Sequence, residues 1–131
     1  MPLPQKSRIF LRYTWATWVT CIIIGSLLPD TSLPMQALDR LHLNDRLEHF
    51  VAYFAAVLIQ TTTLRSWTRS TAVALSMIAL GVVLELLQNF SPGRTPDIFD
   101  ALSDTLGVLT GTALGLALRS IASAKGAGRV V

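Results

Sequence analysis

The chain contains few charged residues and only one cysteine. Of its 131 residues, 15% are Asp, Glu, Lys or Arg and 51% are hydrophobic, and the mean hydropathy is +0.50. This composition leaves room for one domain and supplies little polar surface for a water-soluble one. The single cysteine, Cys21, excludes an intramolecular disulfide, and its place within an apolar run favours burial as a small apolar residue.

Acidic residues are absent from three stretches of the chain: both tails and the short connection near the middle. The charged residues of these stretches are all bases, whereas all 8 acids lie in or beside the other two connections between apolar segments. Lys and Arg accumulate in short cytoplasmic loops, so the alternation predicts four membrane spans with both termini in the cytoplasm. Bases placed in this way face anionic lipid headgroups, which argues against nucleic acid as a partner despite the net charge of +3. The bases of the three stretches are Lys6, Arg8, Arg12, Arg65, Arg69, Arg119, Lys125 and Arg129.

Four apolar segments lie at about residues 13–28, 46–64, 70–90 and 98–118. The second and third are each close to the roughly 20 residues that cross about 30 Å of hydrocarbon. We therefore predict an all-α fold, an integral membrane four-helix bundle that forms a single domain over residues 1–131. Two alternatives stay open. The first segment also resembles a cleaved signal peptide, and the charges in the second and fourth would suit a soluble helical bundle.

Two further patterns concern a connection and a packing surface. The longest connection, residues 31–45, is rich in Leu and predicts a short helix at the outer membrane interface. Gly107, Gly111 and Gly115 recur every four residues in the fourth segment, which makes a ridge of small residues that another helix can approach closely.

Three of the predicted helices carry a polar stripe. An ionisable group within a spanning helix costs about 2.5 to 3.5 kcal/mol at the membrane centre, so it usually marks a bundle interior or a watery cavity. The second and fourth helices enter from outside and the third exits there, so the stripes come level in the outer half of the membrane, beneath the loop 91–97. The stripes are Asp45, His49 and Tyr53 on the second helix; Gly81, Glu85 and Gln88 or Asn89 on the third; and Asp100, Asp104, Gly107 and Gly111 on the fourth.

Acids outnumber bases at this depth, which constrains the chemistry of the stripes. Carboxyls sequestered from water must be protonated, hydrogen-bonded or metal-bound. Glu85 lies deepest and is the first candidate for a general acid or base, with His49 and Asp100 as the other catalytic candidates. A structural alternative is that Glu85, Gln88 and His49 hydrogen-bond one another and pin three helices together, and for His49 an orienting role is favoured. The acids are Asp45, Glu48, Glu85, Asp97, Asp100 and Asp104, against the bases Arg46 and Arg94.

Other polar residues are predicted to bind a ligand. Arg94 has the planar fork that clamps an anionic headgroup or phosphate, although pairing with Asp97 or Asp100 is the commoner fate of such an arginine. Asp97 stands where the N-cap of the fourth helix belongs. The candidate binding residues are Arg94, Gln88, Asp97, Asp45, Arg46 and Tyr53, the last of which suits a core or interface position better than a catalytic one.

A metal site is not assigned from the sequence. His49 together with Asp100, Asp104 or Glu85 offers acceptable ligand types, but no spacing here is diagnostic in the way that a His-Glu-x-x-His run would be. The cofactor, if there is one, stays open.

Several of these residues stand in a fixed order: Asp45-Arg46-x-x-His49-Phe50-x-x-Tyr53, then Glu85-x-x-Gln88, then Pro92-Gly93-Arg94 with Asp97 and Asp100, then Gly107 and Gly111. In this order and spacing, over roughly residues 45 to 115, the chain resembles the VanZ-like family of small bacterial membrane proteins, which is named after a teicoplanin-resistance protein. The family usually has Lys at position 46 and often Asn at position 104, and the second departure argues against a direct chemical role for Asp104. The resemblance implies a multi-pass protein of the bacterial cytoplasmic membrane, a role in the cell envelope and lowered sensitivity to glycopeptide antibiotics such as teicoplanin. It implies no particular reaction.

Three hypotheses about function follow. In the leading one, a polar pocket in the outer leaflet engages membrane lipid or a lipid-linked cell-wall intermediate, by binding alone or by catalysis. In the second, the polar residues only stabilise an accessory subunit that acts through a membrane protein partner or as a homo-oligomer. Ion-coupled transport is disfavoured, because the inner halves of the helices lack titratable groups along a path.

Overall fold

The computed structural model describes residues 5–39, 44–64 and 66–127, and within these residues the chain is helical with no β-strand. The predictions for Arg65 and Arg129 lie outside the described residues. The helices are α1 (Gln5–Leu27), α2 (Leu33–Asp39), α3 (Asp45–Thr63), α4 (Trp67–Gln88) and α5 (Ile98–Ala127).

The helices extend beyond some of the apolar segments. α1 begins at Gln5 and so takes the basic residues Lys6 and Arg8 into its first turns, and α5 continues past Arg119. The long connection contains the short helix α2, as its Leu-rich sequence predicts. Cys21 is exposed on α1, and its predicted burial is therefore wrong: α1 buries Ile22 and turns the neighbouring face outward.

Among the described residues, three helices are long and apolar enough to cross a membrane: α1, α4 and the stretch Ile98–Ala124 of α5. α3 is not among them, because its first turn carries Asp45, Arg46 and Glu48. The all-helical part of the fold prediction is confirmed, and the structure has three candidate spans where the sequence predicts four.

The glycine ridge of α5 sets the contact with α3. A Cβ added at Gly111 would lie 2.6 Å from the carbonyl oxygen of Phe54, and one at Gly115 would lie 2.8 Å from Cβ of Thr61. The third glycine, Gly107, lies against the backbone of Phe50. The partners on α3 advance in step with the glycines, so α3 and α5 run parallel at close range, as the small-residue spacing predicts.

α4 and α1 run the opposite way. Gly81 of α4 lies against Asp104, while Glu85, one turn later, reaches back to Asp97 before the start of α5. The Trp18 indole N–H on α1 donates to the Ala52 carbonyl over 2.9 Å. The C-terminal ends of α1 and α4 therefore meet the N-terminal ends of α3 and α5 at one end of the molecule, called the polar end below.

Among the described residues, one base makes a long-range contact at the opposite end. The Arg119 guanidinium donates to the carbonyl oxygen of Leu64 over 2.6 Å and so satisfies a backbone acceptor at the end of α3. A cation at a helix C-terminus is also favoured by the helix dipole.

The outward surface of the helices is apolar. Large side chains such as Leu75 and Leu86 on α4 and Leu106 and Leu109 on α5 are between 54% and 62% exposed. A helix that is hydrophobic all round needs an apolar surrounding on its outer side, and the acyl chains of a bilayer supply one.

The close approach of α5 to α3 is tested by replacing Gly111 with alanine. The added methyl group meets a backbone oxygen that cannot rotate away, so the two helices must separate, and we expect the free energy of unfolding to fall by about 1 to 3 kcal/mol. Thermal unfolding of the detergent-purified protein, followed by circular dichroism, measures the change. Gly25→Ala is the matched control, since nothing lies within 4 Å of that position. Equal melting temperatures for the two variants would contradict the packing described above.

Candidate functional site

Five ionisable side chains converge at the polar end: Asp45, His49, Glu85, Asp100 and Asp104, together called the polar cluster. Its centre is His49 on α3, whose Nδ1 lies 3.0 Å from Oδ1 of Asp104 and 3.9 Å from Oε1 of Glu85. The Glu85 and Asp104 residues are 5% and 2% exposed, so these groups sit within the helix packing. The polar stripes of α3, α4 and α5 therefore converge, as their spacing predicts.

Asp104 has the shortest contact to His49. The sequence places it on the polar stripe of the fourth helix but not among the catalytic or binding candidates. The space for its carboxylate comes from α4, because a Cβ at Gly81 would lie 2.8 Å from Oδ2 of Asp104. One sequence signal marks this position: Asp104 follows Asp100 by one helical turn, and Gly81 precedes Glu85 by one turn on the antiparallel helix.

Glu85 fastens the loop after α4 over the polar cluster. Its Oε2 accepts a hydrogen bond of 3.1 Å from the backbone N–H of Asp97. The Asp97 side chain in turn accepts from the backbone N–H of Phe99 over 2.8 Å, so its predicted N-cap role on α5 is confirmed. The capped start of α5 and the buried carboxylate of Glu85 therefore hold each other in place.

A second group of ligand-type atoms includes the same histidine. One atom each from Asp45, His49 and Asp100 all lie within 4.8 Å of one another, and the same holds for His49, Glu85 and Asp104. Asp100 is buried and Asp45 is exposed, so this second group reaches from the helix packing to the surface. His49 belongs to both groups.

At the polar end, the described arginines Arg46 and Arg94 pair with acids outside the polar cluster. Arg94 Nε lies 2.7 Å from Oδ1 of Asp30, so the predicted pairing of Arg94 with Asp97 or Asp100 is wrong. Asp97 pairs instead with Arg46 over 3.6 Å. The positive φ of Gly93, +82°, turns the chain so that Arg94 faces α1. Asp30 ends the first apolar segment and therefore lies at this end of the molecule, which is the signal that could have identified it.

The remaining predicted residues lie around the polar cluster. Gln88 is buried on α4 just beyond Glu85, and Arg46 is exposed with its guanidinium 4.5 Å above the centre of the Phe99 ring. Tyr53 is 1% exposed one turn below His49, and its hydroxyl group has no hydrogen-bond partner among the described residues. Its predicted place in the core is confirmed.

The polar cluster opens onto a cleft of about 130 Å³ between α1, α3 and the loop that carries Arg94. An apolar groove of about 640 Å³ adjoins it and is lined by α1 and α3. Four residues, Cys21, Ile22, Glu48 and Ala52, line both spaces. The polar wall of the cleft contains Asp45, His49, Tyr53 and Arg94, whereas the groove is bounded by residues that include Trp18, Leu47 and Val51.

This arrangement defines a class of protein. Three helices are apolar enough for a bilayer, and acids and a histidine that are costly in such a setting are gathered at one end beside a cleft. The chain is a helical membrane protein whose acids and histidine gather at one end of the helices.

A family model described as VanZ/LLP1 matches residues 7–119, and the chain belongs to this family. The match covers α3 and α4 completely and most of α1 and α5, and it includes all of the residues of the polar cluster. Comparisons with curated proteins and with solved structures gave no match.

The contact between His49 and Asp104 is tested by a double-mutant cycle. Removing one partner of a buried pair leaves the other group buried without compensation, so we expect His49→Ala and Asp104→Ala each to lower the free energy of unfolding by about 3 to 5 kcal/mol. The double variant should lose much less than the sum, because it leaves neither group alone. Denaturant unfolding in detergent measures these values. His49→Ala combined with Arg119→Ala, at the opposite end, should be additive, and additivity in both pairs would refute the contact.

Proposed function

We propose that this chain is a four-span, single-domain protein of the bacterial cytoplasmic membrane that binds a lipid or a lipid-linked cell-wall intermediate. In this proposal both termini are cytoplasmic and the polar end faces the extracytoplasmic side. Three features support the topology: bases alone occupy the tails and the middle connection, every acid lies toward the other side, and α3 runs parallel to α5 along the whole glycine ridge.

The main support for the proposal is that the polar cleft and the apolar groove adjoin and share lining residues. A lipid is an amphiphile, so its binding site needs hydrogen-bonding and charged groups beside a long apolar surface. The cleft offers His49, Asp45 and Arg94, and the groove continues from it along Leu47 and Val51. A headgroup in the cleft would place its acyl chain in the groove, whose lining residues Trp18, Leu47 and Val51 are exposed.

The depth of the polar cluster suits a substrate of the outer leaflet. Cell-wall precursors and phospholipids both present their polar groups at this boundary, and both carry phosphate. Occupation or alteration of such a lipid would change what glycopeptide antibiotics meet at the cell surface, and this is how the proposed site would lower sensitivity to teicoplanin.

A second function is favoured by the hydrogen bonds inside the polar cluster. His49 contacts Asp104, Glu85 accepts from Asp97, and Arg94 pairs with Asp30. A network that satisfies itself in this way would also suit a non-catalytic accessory subunit, in which the polar cluster holds the helices together and a partner protein performs the reaction.

The topology is tested with single cysteines at Thr95 and Ser123 in a Cys21→Ala background. Both positions are exposed, one in the loop at the polar end and one in the last turns of α5. A membrane-impermeant maleimide added to intact cells should label Thr95→Cys fully and Ser123→Cys only after the membrane is opened. Labelling in the reverse order would place the polar end in the cytoplasm and refute the proposed orientation.

The lipid site is tested by filling the groove with Val51→Trp. The indole should occupy the space beside Leu47 and displace an acyl chain, so we expect the detergent-purified protein to retain at least fivefold less membrane lipid by native mass spectrometry. Val82→Trp is the matched control, since Val82 and Val51 are 45% and 48% exposed but only Val51 lines the groove. In a bacterial host, the teicoplanin susceptibility should follow lipid retention. Unchanged lipid retention and unchanged susceptibility in Val51→Trp would favour the accessory subunit instead.

A further inference from the structure

We propose that His49, Asp45 and Asp100 bind one divalent cation of the zinc, manganese or cobalt class, with Asp104 as the positioning residue behind the histidine. The proposal concerns the protein alone and does not depend on lipid binding. It begins from geometry: one ligand atom from each of these three residues lies within 4.8 Å of the other two.

The separation of these atoms is somewhat larger than a bound ion requires. Zinc binds imidazole nitrogen and carboxylate oxygen at about 2.0 to 2.2 Å in a tetrahedral arrangement, so two ligand atoms of one ion lie about 3.4 Å apart. A rotation of the Asp45 side chain, which is exposed and lines the cleft, would bring its carboxylate nearer to the other two ligand atoms. One imidazole with two carboxylates is a mixed nitrogen and oxygen set, which favours these transition metals over magnesium and calcium.

The partner of Nδ1 decides which side of the histidine takes the metal. Nδ1 is 3.0 Å from Oδ1 of Asp104, which leaves Nε2 as the ring nitrogen for a metal. Metal-binding histidines almost always donate their other ring N–H to a carboxylate, carbonyl or water, and this fixes the tautomer and the ring orientation. The buried Asp104, seated against Gly81, supplies that partner.

Tyr53 gives an independent indication that the cleft holds a ligand. Its hydroxyl group is buried and has no hydrogen-bond partner among the described residues, and the side chain lines the same cleft as Asp45 and His49. A buried hydroxyl group without a partner costs about 1 to 3 kcal/mol. Water or an anion bound to the metal would provide the missing partner.

Charge balance points in the same direction. The polar cluster contains four carboxyl groups and one imidazole, and the arginines nearest to it pair with Asp30 and Asp97. A divalent cation would offset the negative charge of these carboxylates. If the proposed lipid function holds as well, the same ion would bind the phosphate of the headgroup, so the substrate class would be phosphate-bearing lipids.

The metal site is tested on the full chain, purified in detergent without a histidine tag and stripped with a chelator. Titration with zinc chloride, followed by calorimetry and by metal analysis after gel filtration, should show one zinc ion per chain. Asp45→Asn is the decisive variant, because Asp45 is exposed at the start of α3 and its replacement leaves the core intact. We expect Asp45→Asn to weaken zinc binding at least tenfold and His49→Ala to abolish it. Asp104→Asn should weaken it by about 10-fold to 100-fold, as loss of an orienting partner does.

Asp30→Asn is the matched control, since it removes a carboxylate from the same end of the molecule but outside the polar cluster. It should bind zinc as the unaltered chain does. Zinc binding that is equal in the unaltered chain and in Asp45→Asn would overturn the proposal, as would binding of magnesium chloride in preference to zinc chloride. No lipid enters the zinc titration, so its result is independent of the lipid-retention experiment with Val51→Trp. Zinc binding without lipid binding would support the metal site alone, and lipid binding without zinc binding would support the lipid site alone.

Discussion

The structure depends on the cost of placing charge inside an apolar body. In a bilayer, the acids and the histidine of α3, α4 and α5 can reach only one another or the cleft for compensation. The fold meets this requirement by bringing the polar ends of all four long helices together, so that His49 faces Asp104 and Glu85 accepts from the N-terminal loop of α5. The rest of each helix is then left to pack by apolar contact, and the outward surface can remain almost free of charge.

Glycine residues set the helix separation and register that this arrangement requires. The contact of Gly107, Gly111 and Gly115 with α3 holds two parallel helices at backbone distance, and their register brings His49 level with Asp104. Gly81 performs the corresponding role on α4, because any side chain there would occupy the space of the Asp104 carboxylate. The same glycine contacts therefore set both the helix packing and the geometry of the candidate site. A change in helix register would separate His49 from Asp104.

Much of this could be predicted from the sequence, because charge distribution and helical periodicity are local properties of the chain. The stripes of α3, α4 and α5 come together as their spacing predicts. The pairing of Arg94 with Asp30 could not be predicted in this way, since it depends on where the loop after α4 turns at Gly93. The exposure of Cys21 likewise depends on which face α1 presents to its neighbours, and an apolar run gives no preferred face. The short contact of Asp104 follows from three-dimensional packing against Gly81, whereas the family pattern at position 104 pointed away from it.

The attachment of α1 has a consequence for entry into the groove. This helix buries Ile22 and is fastened at a few points, among them the Trp18 bond to Ala52, the Ser91 bond to Leu27 and the Arg94 contacts near its C-terminal end. Each neutral bond of this kind contributes about 1 kcal/mol. The hydrogen bonds that hold the α1 wall of the groove thus lie mainly near its C-terminal end. In the proposed lipid function, an acyl chain would enter from the bilayer by displacement of α1, while the other three long helices would keep the carboxylates aligned.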